Sequence, residues 1–437
     1  MHALVVSYAF PPTGGAGVAR VLKLVKYLPA HGITPSVLTV ANPSVPVVDR
    51  SRERDLAPDL DIVRARTFEP GYAAKQAAAA PVGGNGAPVG LVTRARRLAV
   101  RAARAALVPD AQILWQPGAY AALARRLASP RTRPDVVCIS GPPFSQFLLA
   151  PLARLAPGTA MVLDYRDEWS TWRTTYENSS RAAALIGGPL ERALVHSAHA
   201  ITTATEAFRT NLLAQFPFLS PEHVHAIPNG YDPDDYPAEL PTPPRDRFVV
   251  TYAGTIFKLT SARGLLGAVR KLHRDAPELA RHLRVRFLGR IVEAELDAFE
   301  GMDALGVERL GYVEHARVTG ELAASHLVLC LLDDVPGAER IYPAKIFELM
   351  HLGRPTLTLA APGELADLVR AQRMGDLVGP RDEAGIAAVL ERHLRAFVAG
   401  TPPAVMRAVD AGRYHRRALA GEFAQVFRDA KARATRA

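Results

Sequence analysis

A chain of 437 residues, 49% hydrophobic and 22% charged, is too long for one hydrophobic core and too apolar for a disordered polymer. Its two cysteines, Cys138 and Cys330, both lie in apolar runs, which argues against a disulfide framework or a thiolate metal site and fits a reducing cytoplasm. A net charge of +10 points to an anionic partner, yet aromatics interleaved with basic clusters are scarce, and that speaks against nucleic acid.

The apolar run 1–10 stops at Pro11-Pro12 without a basic leader or a small-residue cleavage site, so it reads as a first strand rather than a signal peptide. Residues 4–8 form the buried strand, 14–17 a Gly-rich turn, 18–30 an amphipathic helix and 35–40 a second strand. That order opens a parallel, Rossmann-like half whose turn stands at the carboxyl ends of the strands, where ligands sit. Residues 136–140, 161–164 and 200–203 read as further strands, with 226–228 a candidate to close the sheet. No apolar run reaches the roughly 20 residues of a membrane span, so a soluble or peripheral protein is expected.

Between these strands, segment 73–108 holds an Ala run, a Gly/Pro/Asn cluster and then a basic helix candidate. There Arg94, Arg96, Arg97, Arg101 and Arg104 interleave with Leu91, Leu98, Val100, Leu107 and Val108 and no acidic residue. An anionic membrane surface would accept such a helix, and so would water along one face of an arginine-rich chain.

Segment 237–247, PAELPTPPRDR, punctuates the chain and is expected to link two domains. A second series follows, with strands at 249–253, 284–288, 309–311, 327–332 and 356–359 and helices from 263 and over 344–351. The expected class is α/β, with two Rossmann-like domains over 1–236 and 247–402 and a basic helical end, 403–437, placed to cross back to the first domain.

Residues 342–348, Tyr-Pro-Ala-Lys-Ile-Phe-Glu, bring two chemistries together. Pro343 suits a first helical turn, so Ala344 and Lys345 offer free N–H groups and an ammonium to phosphate. Glu348, one turn deeper, offers a carboxylate to hydroxyl groups. A well-started helix alone would explain the proline but not this carboxylate among apolar neighbours.

The run YPAKIFELMHLGRPTL resembles the signature of family 4 glycosyltransferases of the GT-B fold. SYAFPPTGGAGVAR, VPDAQILW, PDVVCISGPPFS, VLDYRDEW, AIPNGYDPDDY and VTYAGTIF agree in the same order along nearly the whole chain. The resemblance implies two facing domains with a nucleotide-sugar in the cleft, its nucleotide on the second domain and the acceptor on the first. It assigns the ribose to Glu348 and the phosphates to Tyr342, Ala344 and Lys345. It makes Gly14, Gly15 and Gly17 a loop approaching the phosphates, and Gly254 the start of another. Arg290 and the backbone of Val313 would hold the base.

Two departures stand out. Thr255 replaces an Arg usual in the family, leaving Lys258 and Arg263 as the cations for the leaving diphosphate. Arg340 replaces a Glu usual near the donor sugar, and the adjacent Glu339 is the substitute carboxylate. Asp167, with Arg166 and Trp169 after a strand end, is expected to orient acceptor or sugar, or else to hold a loop.

The implied reaction is transfer of a sugar, with retention of configuration, to an unidentified lipid-linked saccharide or small molecule. It would need no cofactor and no metal, and would occur in the cytoplasm or at the inner membrane face. Asp232-Pro233-Asp234-Asp235 reads as turn chemistry rather than metal ligation. A nucleotide-sugar-binding scaffold without turnover and a sugar-nucleotide epimerase of similar build are the rival readings.

Overall fold

The computed structural model describes residues 1–79, 107–170, 181–401 and 405–436. The basic helix candidate carrying Arg94 to Arg104 lies outside the described residues. Two compact units emerge, one formed by Met1–Pro228 with Leu419–Ala437, the other by Asn229–Ala418.

The first unit is built on a fully parallel sheet of seven strands in the order β3-β2-β1-β4-β5-β6-β7. These strands are β1 His2–Val6, β2 Thr34–Val40, β3 Asp61–Ala65, β4 Val136–Gly141, β5 Ala160–Tyr165, β6 Ala200–Thr203 and β7 Val224–Ala226. β1, β4 and β5 are almost wholly buried, as expected where helices cover both faces of a parallel sheet. One apolar layer packs Trp115, Phe144, Phe147 and Tyr165 against one face. The other packs helix Ala16–Tyr27 and the end of the chain, through Leu419, Phe423 and Phe427, against the opposite face.

The second unit repeats the plan with six parallel strands in the order β10-β9-β8-β11-β12-β13. They are β8 Phe248–Ala253, β9 Leu283–Leu288, β10 Val307–Gly311, β11 Leu327–Leu331, β12 Thr356–Leu359 and β13 Gly375–Val378. In each sheet the first strand of the series sits in the middle, and the chain then builds outward to either side. The switch points, β1/β4 and β8/β11, are where a doubly wound sheet opens a crevice at its carboxyl edge.

The division between units falls at Pro228, ahead of the Pro-rich stretch 237–247 expected to be the linker. Segment 229–236 is held by the second unit: Tyr231 stacks on His351 at 4.2 Å between ring centroids, and the Tyr236 hydroxyl donates to the Glu348 carbonyl at 2.6 Å. The closing helix Arg416–Arg436 starts in the second unit and joins the first from Leu419. The Asp232 carboxylate accepts from the Asp234 N–H at 3.1 Å and so caps the turn Pro233–Asp235.

Candidate functional site

At the carboxyl edge of the second sheet, β8 ends in Tyr252 and Ala253 and the chain turns at Gly254 with φ 148. A Cβ there would come within 2.4 Å of the Lys345 Nζ and 3.0 Å of the Tyr252 hydroxyl. β9 ends alike at Gly289, φ 133, where a Cβ would meet the Gly254 carbonyl at 2.2 Å. The backbones of the two strand exits are thus in contact, and only glycine allows that approach.

Lys345 opens helix Lys345–Leu352, which follows β11. No side chain caps this helix start; the Ile346 N–H donates to the Pro343 carbonyl at 2.9 Å, and the positive end of the helix dipole lies at this end. The Lys345 ammonium lies over the Tyr252 ring at 3.8 Å from the centroid and has no carboxylate partner among the described residues. One turn along, the half-buried Glu348 carboxylate is likewise unpaired among the described residues; its carbonyl, not its carboxylate, holds Tyr236. A lone ammonium at the helix start and a lone carboxylate one turn further in offer complementary chemistry, the first to anions and the second to hydroxyl groups.

The loop after Gly254 folds on itself, its Thr255 carbonyl accepting from the Tyr252 hydroxyl at 3.1 Å and from the Thr260 hydroxyl at 2.7 Å. Lys258 is exposed and unpaired among the described residues, on a turn tied to the exit of β11 by the Asp333 N–H donating to the Leu259 carbonyl at 2.7 Å. Arg263 is placed differently from the sequence expectation. Asp297 takes its guanidinium in two hydrogen bonds of 2.9 and 2.5 Å, and Glu295 lies 3.6 Å away. The carboxylates draw Arg263 onto segment Glu293–Phe299, which leaves Lys258 as the accessible member of the pair.

Glu339 is also engaged. It lies in a short helical turn, Ala338–Arg340, where its carboxylate accepts from the Gly337 N–H at 2.8 Å and from Arg340 at 2.5 Å. The Tyr342 hydroxyl donates to Glu364, and its ring packs edge-on against Phe347 at 5.7 Å. Arg290 is exposed after β9, its carbonyl accepting from the Ile256 N–H at 2.8 Å, and Val313 stands half-buried beyond the end of β10. Tyr252 was missed in the sequence, although its position two residues before Gly254 at a strand end was the available signal. Cys330, inside β11, is fully buried and pushed up to about 12 by that burial, with Lys345 offsetting part of the rise.

In the first unit, Gly15 takes φ 100 ahead of helix Ala16–Tyr27. A Cβ on Gly17 would lie 2.9 Å from the Arg166 guanidinium, which donates to the Gly17 carbonyl and, at 3.3 Å, to the Gly141 carbonyl. Gly14 packs on Val47 in the same way. Arg166, just past β5, therefore ties the end of β4 to the first turn of helix Ala16–Tyr27. Trp169 is buried, stacked on Phe144 with ring centroids 5.2 Å apart and planes 4° apart, so its side chain serves the core. Asp167 is the exception in this group: it has no hydrogen-bond partner among the described residues, and burial raises its pKa, with Arg166 pulling the other way. It borders a small depression that it shares with Glu191 and Gln215.

Asp164 is wholly internal. Its carboxylate accepts from Arg20 at 2.8 Å, Ser140 at 2.6 Å and Thr202 at 2.7 Å. Burial alone would raise its pKa, but Arg20 and these hydrogen bonds outweigh it and hold the group below the ordinary carboxylate range.

Two doubly wound parallel-sheet units in tandem, the second with Lys345 and Glu348 on the helix after its switch point, have the architecture of the GT-B class. The family described as "Glycosyl transferase 4-like domain" matches residues 14–230 and "Glycosyl transferases group 1" matches 247–396. The chain belongs to the GT-B glycosyltransferases of the family 4-like group. No curated protein sequence matches it.

Among solved structures, sucrose-phosphate synthase from Thermosynechococcus elongatus is similar over 98% of this chain and 98% of that one, at 14% identity and a TM-score of 0.62. HepE from Anabaena, in complex with UDP and glucose, covers 97% and 98% at 14% identity and 0.62. A TarM variant from S. aureus, in complex with fondaparinux, α-GlcNAc-glycerol and UDP, covers 98% and 99% at 9% identity and 0.61. Among the described residues no helix is long and apolar enough to cross a membrane.

Proposed function

We propose that the second unit binds a nucleoside-diphosphate sugar and that the enzyme transfers the sugar, with retention of configuration, to an acceptor recognised by the first unit. The observation that carries this reading is the pairing of an uncompensated Lys345 ammonium with an uncompensated Glu348 carboxylate on one helix, beside the Gly254 turn. Lys345, Lys258 and the helix start would receive the charge that grows on the departing diphosphate, and Glu348 would accept from the ribose hydroxyls. The UDP complexes of HepE and TarM support a nucleoside diphosphate as the leaving group.

On this reading the leaving diphosphate takes the acceptor proton on the face it departs from, so that no protein nucleophile is needed. Charge neutralisation rests on protein cations, and turnover should persist in a chelator. The engaged state of Glu339 favours one rival, a binding protein without turnover.

Product analysis with a panel of nucleotide-sugars and candidate acceptors separates the two. Acceptor-dependent release of nucleoside diphosphate, with the anomeric configuration of the product matching the donor, supports transfer. Tight donor binding with no release under any acceptor supports the rival.

A further inference from the structure

At the opposite, amino-terminal edge of the first sheet, several basic side chains converge. His199 precedes β6 and is buried. Its N–H donates to the Met161 carbonyl at 2.8 Å, and its ring Nδ1 accepts from the Met161 N–H at 2.9 Å, which fixes the ring. Burial first, then Arg154 and Arg433, hold His199 to about 4, so the ring is neutral at pH 7. With Nδ1 occupied as acceptor, the single ring proton must sit on Nε2. That N–H points at the exposed Arg154 guanidinium, itself only a donor, so neither group can receive the other's proton.

The same place gathers two more. Arg433, on the closing helix, gives its Nε to the His199 carbonyl at 3.0 Å, while its Nη2 is buried with no partner. The His225 Nε2, from β7, is buried and unpartnered too. Burial and the positive charge of Arg433 both lower His223 and His225. Asp429 and Glu222 are the acidic neighbours, and among the described residues the ion pair they make here is Glu222 with His223 at 3.6 Å. Arg209 belongs to a separate web, its nitrogens taken by the Val224 and Pro221 carbonyls and Glu206.

Buried polar groups in folded proteins are hydrogen-bonded, and here the Arg433 Nη2 and the His225 Nε2 are buried without a partner beside the donor-to-donor contact of His199 and Arg154, a set that a compact acceptor with several lone pairs would satisfy. We propose that Arg154, His199, His225 and Arg433 form an anion site for a phosphate group, remote from the carboxyl-edge chemistry. Arg154 is exposed, which gives the ligand an entrance, and His199 and Arg433 form the floor. Because Arg433 belongs to the closing helix and His199 to the sheet, a bound phosphate would bridge the two and fasten that helix to the first unit.

The test uses the full chain carrying Lys345→Ala, so that the nucleotide site contributes nothing, titrated calorimetrically with inorganic phosphate and with chloride at equal ionic strength. Saturable phosphate binding is expected, weakened about tenfold or more by Arg433→Gln and by the surface variant Arg154→Gln. In a second arm, vesicles of phosphatidylcholine containing phosphatidic acid replace phosphate. Arg154-dependent binding to those vesicles alone assigns the site to a lipid headgroup rather than a free ion, with the phosphate chemistry unchanged. As a local readout, the imidazole C–H resonances of His199 and His225 should move with phosphate and not with chloride. Absence of saturable binding in both arms, or binding that both arginine variants leave intact, overturns the proposal.

Discussion

The Lys345 ammonium and the Gly254 turn share one space: the ammonium lies 2.4 Å from where a Cβ at position 254 would stand. Gly254→Ala should therefore push Lys345 off the Tyr252 ring and also strain a backbone at φ 148. The strain costs about 1–3 kcal/mol. Loss of nucleotide affinity by about tenfold or more should accompany it, measured by titration calorimetry beside a thermal melt. Unchanged affinity would show that Lys345 is not held at the phosphate position by this turn.

Glu348→Gln removes a lone carboxylate while keeping the helix and the Tyr236 contact, which uses the backbone. Hydrogen bonds to a charged group contribute about 1.5–3 kcal/mol, so the nucleotide dissociation constant should rise about ten- to a hundredfold with little change in melting temperature. A 2′-deoxyribose analogue should lose less affinity on the variant than on the wild type, because the missing hydroxyl and the missing carboxylate are one interaction.

Arg263→Gln and Glu339→Gln serve as contrasts. The Arg263 side chain is half exposed and already paired with Asp297 and Glu295, so its loss should cost about 0–1 kcal/mol of stability and leave donor affinity within about twofold. For Glu339→Gln the expected change is confined to the Gly337 turn. A large fall in turnover with either variant would return that residue to the chemistry.

Asp164→Asn breaks the buried pair with Arg20 and should destabilise the first unit by about 3–5 kcal/mol. The folded pKa of Asp164 is depressed below its unfolded value of about 3.9. Its contribution is therefore present above pH 4 and lost as pH falls through the folded pKa. Denaturant unfolding followed from pH 6 downward should show wild-type stability dropping below pH 4, with a shallower drop in the variant.

Both sheets were legible because their central strands are short apolar runs punctuated by glycine and proline, as at residues 4–8 and 327–332. Two of the four edge strands escaped. β3 and β13 are only partly buried and carry Arg64 and Asp376, so no apolar run announces them. The unit boundary escaped because proline marks extended chain, not the place where contacts change hands; Tyr231 and Tyr236 already pack on the second unit before the prolines begin. In the candidate site, the placement of Lys345 at a helix start and of Glu348 in its first turn was readable from the sequence. The engagement of Arg263, Glu339 and Trp169 was not, since each depends on a partner distant in sequence: Asp297, the Gly337 turn with Arg340, and Phe144.

On the proposed function, Lys345 and Glu348 hold the diphosphate and ribose of a nucleotide donor. Calorimetric titration of the wild type, Lys345→Ala and Glu348→Ala with a panel of nucleoside diphosphates tests it most directly. At least one nucleotide should bind the wild type saturably and each variant about tenfold or more weaker. A panel in which no nucleotide binds, or in which the binding one is indifferent to both substitutions, would contradict it.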